Sequence, residues 1–149
     1  MMAAAFTESE YRDRLARARE ALQVAGYDCC VLVAPEHLHY LAGYDAHTHF
    51  LPQALVFTPG TDEPTLVIRD VDVVLASDTS WVRDVRLYQS GSEDPAALIA
   101  SVAREKGLGG GVVGLDLQSY ALTGSLALGL VKALSPAQVE DATEAIGSL

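Results

Sequence analysis

From Tyr11 to Leu22 the apolar residues Tyr11, Leu15, Ala18 and Leu22 recur at helical spacing, which predicts an amphipathic helix with one buried stripe. Thr7 and Glu10 have capping-box spacing, Phe6 and Tyr11 stand where a hydrophobic staple would close around it, and Gly26 marks the end. Glu10 with Arg14 and Asp13 with Arg17 place an acid four residues before a base, so the charges of this helix read as a solvated face. The run Cys29–Val33 is apolar at every position, as expected of a central strand covered on both sides. Pro35 stops it, His37 to Leu41 forms a short helical turn closed by Gly43, and Asp45 to His49 reads as a loop.

Two further strands, Gln53 to Thr58 and Pro64 to Arg69, flank the turn residues Pro59, Gly60, Thr61 and Asp62 and so predict a hairpin. Val71 to Ala76 is expected to be a short helix capped by Asp70 and Ser77. Val82 to Tyr88 alternates like a half-exposed edge strand. Asp94 as N-cap and Pro95 at the first helical position open a helix with Leu98, Ile99, Val102 and Ala103 on one face, ended by Gly107. Gly109 to Gly111 introduce the strand Val112–Leu115, and Ser119 to Leu134 carries Leu122, Leu126 and Leu130 on one helical face. Gln138 to Ala142 is a last strand, and Thr143 with Glu144 begins another helix. The expected fold is α/β: a three-layer mixed β-sheet of about five or six strands with helices on both faces.

At 149 residues the chain fits one domain, residues 1–149, with a core of its own. Twenty acidic against ten basic side chains give a net charge of −10, which repels phosphate backbones and acidic membrane surfaces and argues against nucleic acid as a partner. No apolar run approaches the roughly 20 residues that cross a bilayer. The start lacks a basic segment followed by a long apolar one, so a cytoplasmic protein is expected. Cys29 and Cys30, strand neighbours with side chains on opposite faces, read as buried reduced packing residues.

All four histidines, His37, His39, His47 and His49, lie within Glu36 to Phe57. Two H-x-H pairs invite a metal, but no cysteine stands near and His37 and His39 would not share a helix face, so loop histidines without a metal are the better reading. No G-x-S-x-G nucleophile turn occurs. Gly109 to Gly111 precede a strand rather than a helix N-terminus, the wrong order for a phosphate cradle. Asp70, Asp72 and Asp78 are explained by capping and solvation. No catalytic residue, metal ligand or cofactor is assigned within the chain.

The segments Y-R-D-R-L-A-R-A-R-E (11–20), G-Y-D-C-C-V-L-V (26–33), P-E-H-L-H-Y-L-A-G-Y (35–44) and P-Q-A-L-V-F (52–57), with V-E-D-A-T-E-A-I (139–146) at the end, resemble the N-terminal domain of the creatinase and Xaa-Pro peptidase (M24, pita-bread) family. Residues 35–44 match the family's P-E-N-I-x-Y-L-T-G-F, with His37 at the Asn position and Ala42 at the Thr position. The resemblance implies a ribonuclease H-like α/β domain that is non-catalytic. The linker to a following catalytic domain would begin near 143–149, and that domain would hold any divalent metal. It further implies a homo-oligomer in which this domain contacts the catalytic domain of its own or a neighbouring subunit and lends the loop Tyr44 to Gln53 to substrate access. His47, His49 and Phe50 would then face substrate, or be ordinary loop or interface residues. Two readings of other classes stay open: a free-standing small-ligand or protein-binding α/β domain, and a histidine metal site.

Overall fold

The computed structural model describes residues 5–46 and 51–149. The chain runs α1 (Glu8–Ala25), β1 (Cys29–Leu32), α2 (Pro35–Ala42), β2 (Ala54–Phe57), β3 (Thr65–Arg69), a 3-10 turn (Asp70–Asp72), α3 (Val73–Thr79) and β4 (Asp84–Tyr88). It continues through α4 (Pro95–Glu105), β5 (Val112–Leu115), α5 (Gly124–Leu134), β6 (Gln138–Asp141) and α6 (Thr143–Gly147). The six strands lie in the order β4-β3-β2-β1-β5-β6. β2 pairs antiparallel with β1 and β3 while the β1–β5, β3–β4 and β5–β6 pairs are parallel, so β2 alone runs against the rest.

Side-chain alternation along the strands divides the core in two. Cys30, Leu32, Leu55, Phe57, Leu66 and Ile68 meet α1, α2, α3 and α6 on one face. Cys29, Val31, Ala54, Val56, Val67, Val113 and Leu115 meet α4 and α5 on the other. The two cysteines therefore point into opposite layers and both are free thiols, as their adjacency on a strand predicts. Three layers around a mixed sheet are what the alternation of strands and helices implies.

The helix ends follow their sequence signals closely. Thr7 Oγ1 accepts the Glu10 N–H at 3.2 Å, Phe6 packs edge-on to Tyr11 with ring centroids 6.0 Å apart, and Gly26 closes α1 in the left-handed region at φ 81°. Asp94 accepts from the Ala96 N–H with Pro95 following it, and Gly107 takes φ 99° after α4. Gly111 and Gly114 are required by close approach. A Cβ on Gly111 would collide with the Asp28 carboxylate, which accepts the Val112 N–H, and one on Gly114 would fall 2.7 Å from the Tyr27 ring.

Three local expectations are corrected. α5 starts at Gly124 rather than Ser119, because 117–122 is spent in successive turns and Thr123 accepts the Leu126 N–H as N-cap. The helix expected over Val71 to Ala76 with Asp70 and Ser77 as caps is instead a 3-10 turn, Asp70–Asp72, followed by α3, Val73–Thr79, so Asp70 lies in the turn and Ser77 inside the helix. The charges of α1 are not uniformly solvated. Arg14 is only 8% exposed and stacks over Phe6 and Tyr40 at 4.3 Å, while Arg19 reaches across to Asp62 at 2.8 Å.

Candidate functional site

The parallel strands β1 and β5 end side by side, and the residues just beyond them build the base of the site. Asp116, the first residue after β5, is fully buried. Its carboxylate accepts the Val33 N–H at 3.0 and 3.1 Å and the Ala34 N–H at 2.9 Å. Ala34 is the N-cap of α2 and has no side chain able to cap, so Asp116 satisfies from across the sheet the backbone donors that lead into this helix. His37 Nδ1 lies 3.0 Å from Asp116 Oδ2, which places the proton on Nδ1 and fixes the ring. A buried carboxylate with three N–H donors is held by charge-assisted bonds, the strong kind in a low-dielectric interior.

α2 carries the chain from this base to Gly43, which turns it at φ 72°. The turn is crowded: a Cβ on Gly43 would sit 3.0 Å from the Thr79 carbonyl and 3.0 Å from the Tyr11 ring. The end of α3 clamps the same point. Ser80 Oγ donates to the Ala42 carbonyl at 2.7 Å, Trp81 Nε1 donates to the Leu41 carbonyl at 2.9 Å, and the Asp45 N–H donates to Thr79 Oγ1 at 3.2 Å. Tyr44 is 1% exposed, and burial pushes its phenol well above the ordinary range. The returning side is held too, since Tyr88 donates its hydroxyl to the Pro52 carbonyl and Gln53 is buried. Burial raises the Tyr88 phenol to about 12, so it stays protonated as that donor.

An open groove of about 410 Å³ lies over this end of the molecule, lined by Pro35, Glu36, His39, Tyr44, Asp45, Ala46 and Tyr120. It offers carboxylates, an imidazole and a phenol for hydrogen bonding. His47, His49 and Phe50, which the resemblance would have face substrate or serve as ordinary loop or interface residues, lie outside the described residues, while the flanking segments Tyr44 to Ala46 and Leu51 to Gln53 are placed. The H-x-H pair His37 and His39 is split: His37 turns inward to Asp116 and His39 lines the groove. Among the described residues no three of His, Cys, Asp and Glu come together to hold a metal, and no serine, threonine or cysteine is hydrogen-bonded to a histidine. Asp116 and Tyr120 were not singled out by sequence reasoning. The available signal for Asp116 is an acid between Leu115 and Leu117 at the end of a buried strand, a place where a charge must find partners.

The sequence model of the creatinase/prolidase N-terminal domain family matches residues 14–149. Among curated proteins the chain is similar to an uncharacterized hydrolase/peptidase, y4tM, of Sinorhizobium fredii, 27% identical over 92% of this chain, and to an ectoine hydrolase of Halomonas elongata, 26% identical over 95%. It spans 37% of the length of each. Among solved structures it is similar to the dipeptidase PepE of Mycobacterium ulcerans, with a TM-score of 0.75 and 28% identity over 97% of this chain and 37% of that one. The N-terminal domain of the Xaa-Pro dipeptidase of Lactobacillus brevis shares the fold, with a TM-score of 0.76, 21% identity and 92% and 99% of the two chains covered.

Proposed function

Because the chain belongs to the creatinase/prolidase N-terminal domain family, we propose that it is the non-catalytic amino-terminal lobe of a larger metal-dependent hydrolase in the cytoplasm, serving subunit assembly and shaping access to substrate. The observation that carries this reading is the pair of fixed stems. Tyr44 and Asp45 are clamped by the end of α3, Pro52 and Gln53 are held against the sheet, and Tyr44 to Ala46 line a polar groove. Sites that need accurate placement are built as loops on such scaffolds.

In this proposal bond cleavage and any divalent metal belong to the following catalytic domain, of the same or a neighbouring subunit, and the role of this chain is to orient substrate and exclude water. His47 and His49 offer imidazoles that can donate or accept a hydrogen bond near neutral pH, and Phe50 offers an apolar face. The dipeptidase relative favours a dipeptide, in the family reading an Xaa-Pro dipeptide, as substrate of the parent enzyme. The ectoine hydrolase relative favours a second reading, a small amide or amidine.

The test replaces His47 and His49 by alanine in the full-length enzyme. The expected result is a loss of about tenfold or more in kcat/KM, the size associated with one or two positioning contacts, with metal content unchanged. Unchanged substrate affinity and turnover would remove the loop from the site. A native gene product that ends at Leu149 would favour a free-standing ligand-binding or protein-binding domain instead.

A further inference from the structure

The sheet ends on β4 at one edge and on β6 at the other. Among the described residues β4 pairs only with β3, so the outer row of its backbone N–H and C=O groups is open to another strand. The strand, D-V-R-L-Y, holds no lysine or proline, the residues that most often blunt such an edge. Its side chains alternate: Val85 and Leu87 share the face of Leu66 and Ile68, while Asp84, Arg86 and Tyr88 share that of Val67. On the first face the edge is apolar. Val85 lines a recess of about 380 Å³ with Val73 and Trp81, and Val71, Val73, Val74 and Leu87 are all exposed. On the second face it is charged. Arg86 reaches Asp84 at 2.8 Å and Glu105 at 2.9 Å, and the Arg86 and Asp84 side chains are still 36% and 35% exposed.

A two-fold antiparallel pairing that keeps like faces together is centred on one residue, and each side chain meets its mirror position on the second copy. Centring on Asp84 or Arg86 sets like charges opposite one another, and centring on Leu87 leaves Arg86 facing Tyr88. Centring on Val85 sets Asp84 opposite Arg86 of the second copy and Arg86 opposite its Asp84, with valine against valine between them. The other edge has no such register: β6 carries Glu140 and Asp141 and no base. We propose that two copies of this chain associate through β4 in the register centred on Val85, which joins their sheets and puts the exposed valines of both α3 helices on one side of the seam. The occupant is a second copy because this one edge supplies both halves of each charge pair. The inference gives the assembly role proposed above its surface, and rests on that reading.

The experiment places single cysteines on one face of β4 and its lead-in, in Arg83→Cys, Val85→Cys and Leu87→Cys variants of the 149-residue chain, and follows disulfide-linked dimers under mild oxidation. Native Cys29 and Cys30 are buried and give little background. Directly opposed residues have Cα atoms about 5 Å apart, within disulfide reach, whereas Leu87 and its copy would be four positions out of step, about 13 Å, and beyond it. The expected result is a Val85→Cys dimer formed at least about tenfold faster than a Leu87→Cys dimer, with Leu87→Cys linking to Arg83→Cys when the two are mixed. Arg86→Glu sets acids opposite acids and is expected to shift the mass in sedimentation equilibrium from two chains to one. Equal rates for Val85→Cys and Leu87→Cys, a single-chain mass for the unaltered protein, or a two-chain mass that Arg86→Glu leaves unchanged would overturn the pairing. Each leaves the lobe reading intact, since that is decided by the kinetics of the His47 and His49 variants.

Discussion

Asp116 ties the ends of β1 and β5 to the start of α2, and its removal leaves two buried backbone donors and His37 without their acceptor. Asp116→Ala is therefore expected to cost about 2–4 kcal/mol in urea unfolding, within the range for buried groups left unsatisfied. This residue was not legible in the sequence because its partners stand 79 to 83 positions away and no local pattern links them. The cysteines were legible, since adjacency on a strand decides which way they point. Burial raises the Cys29 thiol to about 12 and pushes the Cys30 thiol up as well, so neither should react with a thiol reagent in the native protein, and both should react in denaturant. A residue-scale pH dependence centres on Asp62. Burial opposes its charge, but hydrogen bonds from Thr58, Arg19 and Lys106 outweigh that and hold the carboxyl below its ordinary value of 3.8. A carboxyl depressed in the folded state contributes stability above its unfolded value that is lost as pH falls through the lower folded value. Urea midpoints should therefore be level above about pH 5 and decline below about pH 4, and Asp62→Asn should be less stable at neutral pH with a shallower acid slope. An unaltered slope in that variant would remove Asp62 from the acid response.

At the scale of elements, the turn at Gly43 that ends α2 is a tightly constrained joint. Gly43 has a left-handed backbone, and a Cβ there would sit 3.0 Å from the Thr79 carbonyl and the Tyr11 ring, so Gly43→Ala is expected to destabilise the fold by about 1–3 kcal/mol, seen as a lower thermal midpoint. The variant should also loosen the stem at Tyr44, and hydrogen exchange at the Asp45 amide, which donates to Thr79, reports that directly. Elements with strong local signals are where the sequence places them: α1 between Thr7 and Gly26, α4 behind Asp94 and Pro95, and the β2–β3 hairpin around Pro59 and Gly60. The start of α5 was not readable, because Leu122 keeps helical spacing with Leu126 although it lies in a turn, packed against the core beside the helix. Periodicity alone cannot tell a helical residue from one carried to the same face by a turn. Asp70 and Ser77 mislead for a related reason: an acid or a serine is a good cap, but here Asp70 opens a 3-10 turn and Ser77 lies inside α3.

For the whole molecule, the fold followed from alternation and burial because a strand apolar on both faces requires two covering layers, and β1 and β2 are buried along their whole length. The candidate site followed only in part. The sequence located the histidine-rich stretch and its loop, but the division of labour between His37 and His39, the buried Asp116 beneath them and the contribution of Tyr120 to the groove depend on contacts across the sheet. The central claim is that this lobe supports and positions while cleavage resides elsewhere in the parent enzyme. The most direct measurement is hydrolysis of an Xaa-Pro dipeptide by the purified 149-residue chain in the presence of added manganese, with bound metal quantified after dialysis. The account predicts no turnover above the blank and no stoichiometric metal. Turnover that scales with protein concentration, together with one or more equivalents of bound metal, would contradict it.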